Sequence, residues 1–401
     1  MPAFADRMAK MSARADVTRA LYNSMTNKNV ISFGGGSPAR DTFPVDELRE
    51  IANDILRGER GQEVLAYNDP QGVQAMKEVV AEYMLPRRGI NGASPEEVII
   101  VNGGLETMNL TCQAFINKGD IILVEEPSFV QTIQIFDMFE AECIPVECDD
   151  DGIIVEDMIA KCEKYNPKMI YIITSFHNPA ARTTGIERRK AIAEYVNSKD
   201  VILLEDDPYV ELRYDNEDLP AIKAFDKVGN IVYANSFSKI FSPGARLGYC
   251  HANTEIIAKL YDAKTATNSQ TSTIDQMLCA EYYKRGYYDK HIEECRSFYR
   301  TKRDAVITAI EKYFPEGTKI LKPEGGLFVW VELPYGSVDT TELYEESVKK
   351  INVAFLAGRK FFINEERGKY GMRLSFGSLS LEQIDGGLKA LGGLIKEKME
   401  K

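Results

Sequence analysis

Short apolar runs and helical stretches take turns along most of the chain, and their spacing predicts its architecture. Continuous runs of β-branched and aliphatic residues occupy 98–101, 121–124, 143–146, 169–174, 201–204, 231–233 and 247–250. A strand with one wet face would alternate apolar with polar, so these continuous runs predict mostly parallel strands covered on both faces. Helices are predicted between them at 105–117, 128–139, 155–165 and 186–197. Repetition of strand and helix is the mark of an α/β domain with a mostly parallel sheet. Beyond Asp275 a long charged helix is predicted through Tyr313, then strands around Gly325-Gly-Leu-Phe-Val-Trp-Val-Glu332 and Met372-Arg-Leu-Ser-Phe376. A helix followed by well-separated strands predicts a smaller α+β domain. An amphipathic helix is predicted over 7–25, leading into Ile31-Ser-Phe-Gly-Gly-Gly-Ser-Pro38. The glycines there either let backbone approach another group closely or form a plain connector. The expected division is an arm at 1–40 packing with the small domain, a large domain at 41–285 and a small domain at 286–401.

The length of 401 residues supports this division, because one hydrophobic core stops growing at roughly 250–300 residues. A net charge of -12 argues against non-specific nucleic-acid binding, which needs a basic footprint. No apolar window approaches the roughly 20 residues of a membrane span, and the start lacks the apolar core of a secretion signal. A cytoplasmic protein without membrane or nucleic-acid partners is expected. The seven cysteines lack Cys-x-x-Cys spacing and the three histidines stand apart, so reduced thiols and no metal site are expected.

The densest chemistry lies at 235–248, Asn-Ser-Phe-Ser-Lys-Ile-Phe-Ser-Pro-Gly-Ala-Arg-Leu-Gly. Lys239 stands beside the hydroxyls of Ser236 and Ser238, with Arg246 downstream, all after a strand-like run. A cofactor with an aldehyde and a phosphate needs an amine, hydroxyl donors and a fixed cation. Asp206 closes another run and Tyr209 follows it; an open α/β sheet binds ligands at such strand ends. The plain alternative for an Asp before Pro is a helix N-cap. Asn178 ends a third run. Gly103-Gly104-Leu105-Glu106 follows the first strand and opens a helix, where free N–H groups and the dipole favour an anion.

Together with Tyr67-Asn-Asp-Pro-Gln-Gly72, Glu205-Asp-Asp-Pro-Tyr209, Pro243-Gly-Ala-Arg-Leu-Gly248, Gly325-Gly-Leu-Phe328 and Met372-Arg-Leu374, these motifs stand in a telling order. Nearly the whole sequence resembles the fold-type I, pyridoxal 5'-phosphate-dependent class I and II aminotransferases, especially the 2-aminoadipate and aromatic aminotransferase-like branch. The resemblance implies the fold-type I architecture, with a seven-stranded, mostly parallel sheet in the large domain. It implies that Lys239 bonds to the cofactor aldehyde and later carries the Cα proton, that Asp206 keeps the ring nitrogen protonated, and that Tyr209 and Asn178 hold the phenolic oxygen. Ser236, Ser238, Arg246 and the amides of Gly104 and Leu105 would hold the phosphate, and Phe129 would stack on the ring unless it is a core residue. Arg373 would clamp the substrate α-carboxylate, with Asn178 beside it and the N–H of Gly36 assisting. Tyr67 would reach the phosphate of a second subunit, giving a homodimer with a shared active site.

Arg19 matches a position that can contact a distal carboxylate; an exposed helical arginine is the equal alternative. The substrates implied are an L-amino acid and a 2-oxo acid, with glutamate and 2-oxoglutarate as one pair. The other donor is 2-aminoadipate, an aromatic or a branched-chain amino acid. Two residues depart from the family pattern. Glu106 brings a negative charge toward the phosphate and is expected to point away, and His177 stands where relatives often have Gln. A β-lyase or decarboxylase on the same scaffold is the alternative chemistry. A non-enzymatic cofactor-sensing module is the second alternative, and the acidic charge and the short stretch before the glycines argue against it.

Overall fold

The computed structural model describes residues 3–9, 11, 12, 15, 19, 27 and 29–400. The helix predicted over 7–25 falls largely outside the described residues, although Met8, Ala9, Met11, Ser12, Ala15 and Arg19 are helical. A seven-stranded sheet forms the centre. Its strands are β1 (Val98–Val101), β2 (Ile121–Glu125), β3 (Glu142–Val146), β4 (Met169–Ile173), β5 (Ile202–Asp206), β6 (Ile231–Ser236) and β7 (Gly248–His251). Their spatial order is β1-β7-β6-β5-β4-β2-β3. β7 runs against both neighbours, and the remaining pairings are parallel.

The continuous apolar runs have the physical cause expected of them. Ile122, Val124, Tyr171, Ile173 and Leu204 pack into one core, while Leu123, Ile170, Ile172 and Leu203 pack into another on the opposite face. The helices Gly104–Phe115 (α1), Val130–Met138, Val155–Tyr165 and Ile186–Asn197 connect successive strands. Edge strand β3 is only partly buried and carries Pro145, as an edge tolerates. Two strands run further than their apolar stretches. β5 reaches Asp206 and β6 reaches Ser236, because Asp206 pairs with Ile173 on one side and Ala234 on the other. Ladder hydrogen bonds thus carry polar side chains to the C-terminal rim of the sheet.

The predicted helix from Asp275 to Tyr313 is two helices, Thr273–Lys284 and Tyr287–Tyr313 (α2). Gly286, at φ 74, breaks them apart in a left-handed conformation that glycine adopts without strain. Further along, β8 (Phe328–Glu332) and β9 (Gly371–Ser375) form the middle of a four-stranded antiparallel sheet. The final helix, Leu381–Met399 (α3), packs with α2 over this sheet in one apolar core that also includes Phe33. Ile31–Ser32 pairs in parallel with Val353–Ala354, which carries the glycines of 34–36 to the edge of the central cavity.

Candidate active site

The C-terminal ends of β4, β5 and β6 open on a cavity of about 550 Å³. Its wall includes Gly36, Gly104, Leu105, Phe129, Asn178, Asp206, Tyr209, Ser236, Ser238, Lys239, Arg246 and Arg373. These candidates come from the large sheet, the glycine segment and β9, and folding brings them together. Tyr67 and Arg19 do not line the cavity. Tyr67 is 93% exposed, and Arg19 is exposed on the N-terminal segment.

Local structure explains the aim of each group. Ser236 ends β6, and its hydroxyl accepts the Ser238 N–H at 3.2 Å, tightening the turn that presents Lys239. Lys239 Nζ donates to the Gly36 carbonyl at 2.9 Å. Burial first, then the charges of Arg373 and Arg246, pull this amine down to about 8. Asp206 responds in the opposite sense. Burial pushes its carboxyl up to about 7, although a hydrogen bond from Tyr171 opposes the rise. The Tyr171 hydroxyl donates to Asp206 Oδ2 at 2.8 Å. Burial also raises the Tyr209 phenol, which therefore stays a hydrogen-bond donor. Arg373 donates from Nη1 to Asn178 Oδ1 at 2.7 Å and from Nη2 to the Gly34 carbonyl. Its guanidinium lies 4.2 Å from the centre of the Phe328 ring, and burial lowers it to about 10.

Arg246 reaches Ser238 Oγ at 3.4 Å and the Asn102 carbonyl at 3.3 Å. Gly103, at φ 80, makes this possible: a Cβ there would meet Arg246 Nη2 at 2.4 Å. The Arg246 cation, two serines and the first residues of α1, Gly104 and Leu105, therefore line the same cavity, where helix-start N–H groups favour an anion. Glu106 does not intrude. It turns back to accept hydrogen bonds from the Asn102 N–H, the Asn102 amide at 3.0 Å and Asn268. Lys264 Nζ, fully buried, meets it at 3.1 Å. His177 is buried outside the cavity wall. Its Nδ1 accepts the Ala180 N–H at 3.2 Å, so Nε2 carries the proton toward Glu125, 3.4 Å away.

Several wall and support residues were not singled out in the sequence. Val130, Gln131, Leu356 and Phe361 also line the wall, and Tyr171 and Thr132 stand behind Asp206. Tyr171 carried one readable signal, a polar head within an otherwise aliphatic strand.

An amine able to shed its proton near neutral pH, a buried carboxylate and a dianion cradle fit a phosphorylated pyridine aldehyde in size and in donor set. The fold and cavity thus define a pyridoxal 5'-phosphate enzyme of the α/β type. Residues 28–391 match the family described as aminotransferase class I and II, and the chain belongs to it. It is similar to aromatic-amino-acid aminotransferase 1 of Thermococcus litoralis, at 37% identity over 98% of this chain and 94% of that protein. The kynurenine aminotransferase of Pyrococcus horikoshii, solved with PMP, superposes with a TM-score of 0.91 at 35% identity, over 96% of this chain and 95% of that one. The α-aminoadipate aminotransferase of Thermus thermophilus, solved with N-(5'-phosphopyridoxyl)-L-leucine, gives 0.88 at 31%, over 98% and 97%. The protein is an aminotransferase with pyridoxal 5'-phosphate as cofactor.

Proposed function

We propose that the protein transfers the amino group of an L-amino acid with a large apolar or aromatic side chain to a 2-oxo acid, with 2-oxoglutarate and glutamate as one pair. The observation that carries this reading is the contrast beside Arg373. The guanidinium provides a bidentate carboxylate clamp, and the wall next to it is Val130, Phe328, Leu356 and Phe361. The cations lining the cavity, Lys239, Arg246 and Arg373, are engaged by the amine chemistry, the phosphate and the α-carboxylate. A distal carboxylate, as in glutamate or 2-aminoadipate, then needs Arg19 to come in from the N-terminal segment. Aromatic, kynurenine and 2-aminoadipate activities among the named relatives support the same range.

When bound, the cofactor supplies a cationic ring that spreads the charge left as the Cα proton departs. Lys239 Nζ, when neutral, would take that proton from Cα and give it back during the transfer. Asp206 holds a proton at the ring nitrogen, and the Tyr209 hydroxyl and the Asn178 amide hold the phenolic oxygen. Ser236, Ser238, Arg246, Gly104 and Leu105 fix the phosphate, Phe129 covers the ring face, and the Gly36 N–H assists Arg373. We read 41–285 as the cofactor-binding domain and 286–401 as a small domain joined by the 1–40 arm; the pairing of Ile31–Ser32 with Val353–Ala354 supports this. Tyr67, so exposed on a single chain, suits a homodimer in which it serves the other subunit, and a cytoplasmic location accords with the composition.

A screen of donors against acceptors tests the reading. Aromatic donors with 2-oxoglutarate are expected to turn over fastest, and Arg19→Ala to raise KM for dicarboxylic substrates selectively. Ammonia release, or carbon dioxide release, in place of stoichiometric 2-oxo acid would replace transfer with lyase or decarboxylase chemistry. Turnover confined to small hydrophilic donors would refute the side-chain assignment.

A further inference from the structure

Behind Asp206 runs a short chain of hydroxyls that the cofactor contacts do not include. Tyr171 lies on β4, whose Ile173 is the ladder partner of Asp206 on β5, so the two side chains are diagonal neighbours on one face. The Tyr171 hydroxyl stands 2.8 Å from Asp206 Oδ2 and 3.1 Å from Thr132 Oγ1. Tyr171 and Thr132 are both fully buried, and Phe136 packs its ring edge-to-face on Tyr171 at 5.6 Å. The proton order follows from the groups. An ionised carboxylate can only accept, so Tyr171 donates to Asp206 and Thr132 donates to Tyr171. Burial and the nearby carboxylate hold the Tyr171 phenol well above its ordinary range, so it remains a donor at any working pH. Thr132 sits in the first turn of the helix Val130–Met138, and its N–H bonds to the Phe129 carbonyl at 3.1 Å. One chain of bonds therefore joins Asp206 to the helix start that carries Phe129.

We propose that Tyr171, held by Thr132, is a positioning residue for Asp206: it occupies Oδ2 and so presents Oδ1 to the cofactor's ring nitrogen. This rests on the reading that Asp206 meets that nitrogen. Without the hydroxyl, the carboxylate is free to rotate and gains proton affinity, since the Tyr171 bond counters the effect of burial. The proton shared between Asp206 and the ring then moves toward Asp206, and the ring becomes a poorer electron sink.

The test uses holoenzyme loaded with cofactor carrying ¹⁵N at the ring nitrogen. Tyr171→Phe keeps the ring that packs on Phe136 and removes only the hydroxyl. The expected result is a nitrogen resonance moved from the protonated toward the unprotonated position. With it, kcat falls about tenfold, the scale of one hydrogen bond to a charged group, and KM stays within about twofold. Thr132→Val is expected to move both readouts the same way by less, and Thr132→Ser to restore them. Wild-type resonance and kcat in Tyr171→Phe would overturn the proposal. Should that variant not fold, wild-type values in Thr132→Val would overturn it instead. Asp206→Asn separates the two claims: if it leaves the resonance unmoved, the Asp206 reading itself has failed.

Discussion

Lys264→Met is the substitution that most sharply tests how the phosphate cradle is built. Lys264 Nζ is fully buried and spends its protons on Glu106 Oε2, Asn268 Oδ1 and Thr271 Oγ1, each at 3.1 Å. Burial alone lowers its proton affinity, while Glu106 opposes that shift. Methionine keeps most of the side-chain volume and deletes the charge. The Glu106 carboxylate is then buried without a counterion, a defect that costs about 3–5 kcal/mol. Asn102 and Asn268 still donate to it, which places the expected loss near the lower bound, about 3 kcal/mol. An uncompensated negative charge in the first turn of α1 also opposes the phosphate dianion, and cofactor Kd is expected to rise roughly tenfold. Adding Glu106→Gln to Lys264→Met removes that charge, so the double variant is expected to recover about half of the stability and most of the affinity. Urea unfolding of the cofactor-free protein, followed by circular dichroism, measures the first effect, and equilibrium titration with cofactor measures the second. A Lys264→Met loss below about 1 kcal/mol, with no coupling between the two positions, would refute the reasoning.

Other outcomes follow from the same geometry. Asp206→Ala is expected to retain cofactor yet lower the single-turnover rate at least about 10²-fold, the usual scale of such electrostatic terms; an unchanged rate contradicts the role assigned to it. Arg373→Ala is expected to lower kcat/KM for amino acids by about 2–4 kcal/mol in transition-state terms, and far less for the matching amines without a carboxylate. Equal losses for both would remove Arg373 from the α-carboxylate. Because burial and neighbouring cations bring Lys239 down to about 8, the neutral amine fraction rises tenfold per pH unit below that point and levels above it. The rate of cofactor attachment to the bare protein, corrected for titration of the cofactor itself, is expected to follow this curve. A rate still climbing steeply at pH 10 would show an amine with ordinary affinity for its proton.

Much of the scaffold was readable because burial on both sheet faces leaves an unbroken apolar imprint. The strand at 98–101 and the helices at 155–165 and 186–197 fall where the pattern places them. Asp206 was readable as the close of β5, but the apolar run of β6 stopped at Tyr233 and did not show that the strand continues to Ser236. Ser236 is held in the ladder by pairing with a neighbour, which no local preference records. The break at Gly286 was hidden for a different reason: an isolated glycine in a helical pattern costs only about 1 kcal/mol, so it need not end the helix. Among the site residues, those grouped in short motifs were visible, and the cavity gathers them apart from Tyr67, which stays exposed. The supports were not. Lys264 meets Glu106 across 158 residues of sequence, and Tyr171 meets Asp206 only because two strands align in register. Glu106 was expected to point away from the helix start, but its buried partner Lys264 and its hold on Asn102 were not legible.

The covalent attachment site of the cofactor tests the central claim most directly. Purified protein incubated with pyridoxal 5'-phosphate, reduced with borohydride and digested, is expected to carry the phosphopyridoxyl group on the peptide containing Lys239. The Lys239→Ala variant should carry none there and lose its visible absorbance. Label on another lysine, or a colourless protein that takes up no label, would contradict the account.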